Sequence, residues 1–440
     1  MRGASLAIYD KDVSRKSHAT KMTSSLKYLA ILALITAVLL IAADRLLGLF
    51  GYPDEITFRV AHPPNFHERR KNIEYQHDFR TNDQGLRYRP LALEKPASEA
   101  RILLLGDSYV EGEGVELADT FGAQLERIFS TGGRDARFIN GGLAGTAPLE
   151  YWRLFYNLGL KYDPDAVLIC IYANDVTGMP ERLSHEELYR KITYLRGSAF
   201  KEALHALFPR MYTILKAAQL ARQERSWRSG DFIAGVSAAA RERGVPDAER
   251  RAWRERLPPA LVEAVNRGEY NGAILGQGLL RPYYWTDSLD IDTPRAKRKW
   301  ESMVVALDEI VKVSESRGIS VGMVYFPAPQ QYDSRMHLPS DPWIVTGTKV
   351  ERRWLTGEAI LQQALKSWAD GKRIPFLDVT PVFRAAAGKG ADLAFPLDSH
   401  WTPFGHRLAA DAIADWLIRE RVFPVLSRSN TPVAPAAATR

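Results

Sequence analysis

The sequence predicts an α/β fold: a doubly wound parallel sheet with helices on both faces, preceded by an N-terminal transmembrane helix and interrupted by a helical insertion. Three observations predict it. Short apolar runs recur at 102–105, 138–139, 167–171, 319–326 and 376–379, and continuous rather than alternating apolar runs mark strands buried on both faces. Helical segments separate these runs, as crossovers between parallel strands require. The chain has 440 residues, 46% of them hydrophobic, enough for a large core and incompatible with a disordered, collagen-like or disulfide-stapled chain. At about 150 residues per domain the length allows two or three units.

In chain order, residues 1–27 form a basic tail, with Arg2, Lys11, Arg15, Lys16, Lys21 and Lys27 against Asp10 and Asp12, which accounts for +4 of the chain's net +7. The remaining positive charge is spread thinly, with no basic stripe interleaved with aromatics, and a single cysteine allows no zinc-finger spacing. Nucleic acid is therefore not an expected partner. Residues 28–43 are interrupted only by Thr36, and apolar residues resume at 46–50 after Asp44 and Arg45. At about 1.5 Å per residue, 28–50 is long enough to cross a bilayer if Asp44 and Arg45 reach toward the interface. The positive-inside rule then leaves the tail in the cytoplasm and delivers the rest to the far side, the periplasmic face of the plasma (inner) membrane. A cleaved signal peptide is the alternative; the long amino region and Ile41 in Ile41-Ala42-Ala43, where a small residue is wanted, count against it.

Residues 51–98 are polar, rich in Pro and Arg and without a sustained helical period, and read as a membrane-proximal segment. The sheet domain follows in two parts, 99–180 and 297–423. Between them, 181–296 is dense in Arg, Glu and Ala without strand-like runs and reads as a helical insertion. Its charge clusters read as solvated faces, and its Tyr283-Tyr284-Trp285 as packing under a lid rather than a sugar-stacking surface. The firmest helix covers 294–317: Trp300, Met303, Val304, Leu307, Ile310 and Val311 share one stripe, Thr293 caps it, Pro294 opens it and Gly318 ends it. Residues 424–440, rich in Pro, Ala, Ser and Thr, read as a disordered tail. Cys170 sits inside the third apolar run and reads as a buried strand residue.

Four places carry candidate chemistry. The first strand runs into Gly106-Asp107-Ser108, which sets a serine where open α/β sheets bind ligands, beside the backbone N–H groups of a helix start. Alone, that serine is equally a helix cap. The second strand ends in Asn140-Gly141-Gly142-Leu143-Ala144-Gly145-Thr146, a turn that lets N–H groups approach a substrate, and the third in Tyr172-Ala173-Asn174-Asp175, which supplies an amide donor. Near the carboxyl end comes Asp398-Ser399-His400-Trp401, followed by a helix opened by Thr402 and Pro403.

These four blocks, in this order, resemble the SGNH or GDSL-type serine hydrolase family over about 101–180 and 297–420. The resemblance implies Ser108 as nucleophile, His400 as general base and Asp398 as its supporting acid, with Ser108, Gly145 and Asn174 forming the oxyanion hole. Two features depart from the usual pattern. Leu397 stands where many members carry the acid, and the spacing Asp398-Ser399-His400-Trp401 is similar to the Asp-x-His-Trp variant of membrane-anchored members and polysaccharide O-acetyltransferases. Residues two apart in an extended segment project to one side, so Asp398 can still accept from the His400 ring. Tyr172 replaces the usual glycine before Asn174 and is expected to alter the pocket wall. His406 is expected to pack or cap its helix, Asp107 and Asp175 to serve loop and turn, and Ser399 to lack an adjoining anion site.

The expected function is that of a membrane-anchored extracytoplasmic esterase cleaving an acyl, foremost acetyl, ester on a cell-surface glycan or lipid, with no metal or organic cofactor called for. An O-acyltransferase using the same acyl-enzyme is the alternative, and a catalytically silent glycan-binding or assembly protein a second. Protein partners are not indicated.

Overall fold

The computed structural model of the protein describes residues 4–49, 61–190, 207–212, 214–215 and 232–427. Its contacts form two compact units, one of residues 1–56 and 195–222 and the other of 57–194 and 223–440.

In the first unit one helix, Ala4–Leu49, runs through both the basic tail and the apolar stretch, so the expected boundary at residue 27 is a change of composition rather than of structure. Its Lys27–Leu49 part, 23 residues, is long and apolar enough to cross a membrane. Leu34, Val38 and Leu39 on it are exposed. Asp44 does not reach outward as the sequence suggested: it is buried, and Oδ1 accepts a 2.8 Å hydrogen bond from the Met211 N–H.

The second unit is built on five parallel strands, β3 (Ala100–Gly106), β4 (Ala136–Gly142), β5 (Ala166–Tyr172), β6 (Ser320–Phe326) and β7 (Phe376–Asp378), in the spatial order β4-β3-β5-β6-β7. A separate antiparallel hairpin, β1 (His67–Lys71) and β2 (Gln76–Arg80), precedes them. Every residue of β3 and β5 is buried, which explains the unbroken apolar runs by which the sequence announces them. Pairing runs from Ala100↔Ala136 to Gly106↔Gly142 on one side of β3 and from Ile102↔Ala166 to Leu105↔Ile169 on the other. The chain thus winds one way from β3 to β4 and the opposite way from β4 onward. Phe121–Thr131 packs with Pro403–Arg419, and Pro148–Asn157 with Pro294–Ser316; with right-handed crossovers these pairs cover opposite faces. The reversal of winding lies beside β3, so the carboxyl ends of β3 and β5 frame the crevice where such sheets bind ligands.

Three helices of the second unit start on threonine caps. The Thr120, Thr293 and Thr402 hydroxyls accept from the N–H groups of Ala123, Ala296 and Gly405 at 3.3, 3.1 and 3.2 Å. The stripe predicted over 294–317 is realised as Pro294–Ser316.

The described part of the segment read as membrane-proximal, 61–98, lies within the second unit, with Phe79 and His77 of β2 buried. Within the insertion, the described residues form helices at His185–Arg190, Phe232–Glu242, Asp247–Arg256, Pro259–Asn266, Gly272–Leu280 and Tyr284–Leu289. Of the expected disordered tail, Pro424–Ser427 forms a helical turn with Leu426 buried, and 428–440 lies outside the described residues, as do 50–60, 191–206, 213 and 216–231.

Candidate active site

β3 delivers its chain into a tight turn at Gly106, where an added Cβ would come within 2.1 Å of Val110 Cγ2. The Asp107 side chain accepts from the Tyr109 N–H at 3.0 Å and caps the one-turn helix Ser108–Glu111, which ends at Gly112 with φ +86°. Ser108, the first helical residue, keeps a backbone N–H with no partner inside the helix. It is 9% exposed, opening at the crevice beside β3.

The Asp398–His400 loop is closed by a bridge between Ala394 and Trp401 and by the Phe395 N–H donating to the His400 carbonyl at 2.8 Å. Ser399 takes φ +75°, in the left-handed region, so the segment turns where the sequence suggested extension. Three contacts hold that conformation: Ser399 N–H to the Phe395 carbonyl at 2.8 Å, Tyr109 hydroxyl to the Ser399 carbonyl at 2.7 Å, and Trp343 Nε1–H to Ser399 Oγ at 3.2 Å. The turned loop still brings the two side chains together. Asp398 Oδ1 lies in a short contact with His400 Nδ1, and His400 Nε2 stands 2.8 Å from Ser108 Oγ. Burial works against a charged imidazole here, but the adjacent Asp398 carboxylate outweighs it and holds His400 at about 9. For Asp398 the balance is reversed in kind: burial disfavours its charge, yet His400 and the hydroxyl of Tyr75 hold it below the usual carboxylate range.

Gly145 and Asn174 reach the same edge of the sheet. Gly145 follows β4 with φ +71° and nothing within 4 Å of its Cβ position. Asn174 follows β5 and is half-buried. The β4 loop is steadied by Glu111, whose Oε1 accepts from the Ala144 N–H at 3.3 Å. Glu111 is wholly buried; burial opposes its charge, but His62, in a short contact with it, together with Arg70 and Arg87 pulls the carboxyl down to about 2.

The remaining candidates take structural places. His406 is buried, accepts from the Phe121 N–H at 3.3 Å and stacks on the Phe121 ring. Asp175 accepts from the Tyr151 hydroxyl at 2.9 Å and the Tyr172 N–H at 3.1 Å. Burial pushes the Asp107 and Asp175 carboxyls up, and the charge of Asp107 raises Asp175 further. Tyr172, the departure before Asn174, stacks on Tyr109 at 3.9 Å and shares a 2.9 Å hydroxyl contact with it. Of the aromatic trio, Trp285 is buried, Tyr284 stacks on Trp343 at 6.1 Å, and Tyr283 is exposed. Sequence reasoning missed Asn72, Glu74 and Tyr75, which reach the Asp398 loop from the β1–β2 turn. Only the Asn in a polar turn signalled them, and that signal points to a turn and not to a site.

Residues 344–436, the segment bearing Asp398 and His400, match the family described as SGNH hydrolase-like domain, acetyltransferase AlgX. No curated protein matches the chain. Among solved structures the chain is similar to a lipase/acylhydrolase from Enterococcus faecalis, at 12% identity over 73% of this chain and 96% of that one, with a TM-score of 0.34. It is also similar to a GDSL-like lipase from Bacteroides thetaiotaomicron VPI-5482, at 11% identity over 75% and 93%, TM-score 0.33. A third is the psychrotrophic esterase EstA from Pseudoalteromonas sp., at 12% identity over 73% and 98%, TM-score 0.32. The protein is of the α/β class, with a five-stranded parallel sheet, and it carries an SGNH hydrolase-like domain.

Proposed function

We propose that the protein is a serine enzyme that handles acyl groups through a covalent intermediate on Ser108. The observation that carries this reading is the unbroken line Ser108 Oγ, His400, Asp398, closed by the 2.8 Å approach of His400 Nε2 to the hydroxyl. Neutral His400 takes the Ser108 proton as Oγ attacks an acyl carbonyl. Asp398 fixes the tautomer with the proton on Nδ1 and stabilises the imidazolium that forms. The N–H groups of Ser108 and Gly145 and the Asn174 amide donate to the oxyanion, each contributing about 10²–10³ in rate. His400 then returns the proton to the departing alcohol, and an acceptor hydroxyl attacks the acyl-enzyme.

With water as acceptor the enzyme is an esterase. With a sugar hydroxyl it is an O-acetyltransferase, a reading favoured by the family match of the segment bearing Asp398 and His400. The reading places the enzyme at the plasma (inner) membrane, held by 28–50, with the second unit on the periplasmic side and an acylated cell-surface glycan or lipid as substrate. Tethering there raises the local concentration of such a substrate. A fluorescent serine-directed phosphonate added to the detergent-solubilised full chain tests the chemistry: the native protein is expected to be labelled and Ser108→Ala not. Equal labelling of both, or of neither, sinks the proposal and favours a silent binding or assembly protein. Acetate release against transfer to added glycan then separates esterase from transferase.

A further inference from the structure

We propose that Asn72 and Tyr75, in the turn between β1 and β2, are positioning residues that hold the Asp398 carboxylate aimed at His400, and that Glu74 between them fixes the backbone carrying that carboxylate. This rests on the serine, histidine and aspartate reading above and adds to it a function for the segment between the apolar helix and the sheet.

The hairpin register ends at Lys71↔Gln76, leaving Asn72 to Tyr75 as the turn, closed by the Asn72 N–H donating to the Tyr75 carbonyl at 2.8 Å. Asn72 Oδ1 accepts from the Glu74 N–H at 3.2 Å, which leaves its Nδ2 to donate to Asp398 Oδ2 at 3.0 Å. The Tyr75 hydroxyl donates to the same oxygen at 3.1 Å. Glu74 spends both carboxylate oxygens on the loop backbone, accepting from Leu397 N–H at 2.9 Å and Asp398 N–H at 2.6 Å. The turn is itself tethered: the Ile73 N–H donates to the Glu269 carbonyl at 2.9 Å, and the Tyr75 ring lies 4.8 Å from Phe395.

A buried carboxylate is costly unless both its oxygens are satisfied. Asp398 is 7% exposed; Oδ1 is committed to His400, so Oδ2 depends on this turn. Packing alone would not require such an arrangement, since Phe79 and His77 already bury the hairpin's inner face. Hydrogen bonds donated to a carboxylate favour its charged form and moderate its basicity. Removing one makes Asp398 more basic, tightens its hold on the His400 proton and moves the pH at which His400 becomes a free base upward.

The test measures the second-order rate of phosphonate labelling against pH for the full chain, Tyr75→Phe, Asn72→Leu and Ser108→Ala. The first two substitutions nearly conserve shape, add no charge and remove the donor to Asp398 Oδ2. Each is expected to slow labelling about tenfold or more and to shift the acid limb of the profile to higher pH. Labelling at the native rate overturns the inference, and so does slower labelling with an unmoved limb, which marks a merely structural role. If Tyr75→Phe does not fold, Asn72→Leu decides by the same two readouts. Failure of the native protein to label overturns the catalytic reading itself and this inference with it, whereas native labelling with unaltered variants overturns the inference alone.

Discussion

Asp398 decides the pH at which His400 can accept a proton. With its pKa held at about 9, the imidazole is mostly protonated at neutral pH, and the neutral fraction grows as pH rises. The rate kcat/KM on a small acetyl ester is therefore expected to climb with pH through that value. In Asp398→Asn the charge that raises the pKa is gone, so the limb is expected to fall toward the ordinary 6.5 while the rate drops by about 10⁴, as it does when such a histidine loses its orienting carboxylate. A pH profile of the two proteins checks both. At this scale Ser108, Asp398 and His400 were legible because the blocks that carry them resemble, in type and order, the motifs of the SGNH family, while no one block by itself marks a site. Asn72 and Tyr75 were not. They act through a register between strands whose residues, His67-Glu68-Arg69-Arg70-Lys71, have neither apolar alternation nor high β-propensity. No local rule could pair that turn with a loop over three hundred positions away.

At the scale of elements, the helix bearing Ser108 is wedged against the end of β4. A Cβ on Gly142 would come within 2.1 Å of the Glu111 N and 2.6 Å of the Val110 carbonyl carbon, both backbone atoms that cannot swing aside. Gly142→Ala is expected to cost about 1–3 kcal/mol in urea denaturation, and to reduce phosphonate labelling more than its folded fraction accounts for, because relief requires the Ser108 helix to move. Equal labelling per folded molecule would show that the helix tolerates the shift. β3 and β5 could be read from composition because every residue in them is buried, so hydrophobicity alone outlines them. The hairpin, with one face in solvent and charges on both strands, leaves no comparable trace within 51–98. The left-handed turn at Ser399 was hidden for a related reason: it is imposed by Tyr109, Trp343 and Phe395 rather than by its own sequence.

Across the whole molecule, two titrations oppose one another. The folded pKa of Glu111 lies below its ordinary 4.5, so its contribution is present above that value and lost as pH falls through about 2. His400 is shifted the other way; its contribution is present below 6.5 and lost as pH rises through about 9. Urea midpoints are expected to be greatest between those windows, and Glu111→Gln to flatten the acid side, removing a term on the order of 3 kcal/mol. The reading of the apolar helix has its own check: the full chain is expected to remain with membranes through an alkaline carbonate wash, and Leu34→Arg, at about 2.5–3.5 kcal/mol for a mid-span cation, to weaken that retention. The order of the chain adds a consequence in time. Ser108 and His400 stand 292 positions apart, so a growing chain carries the nucleophile long before it carries the base, and the pair can form only once nearly the whole chain has been made.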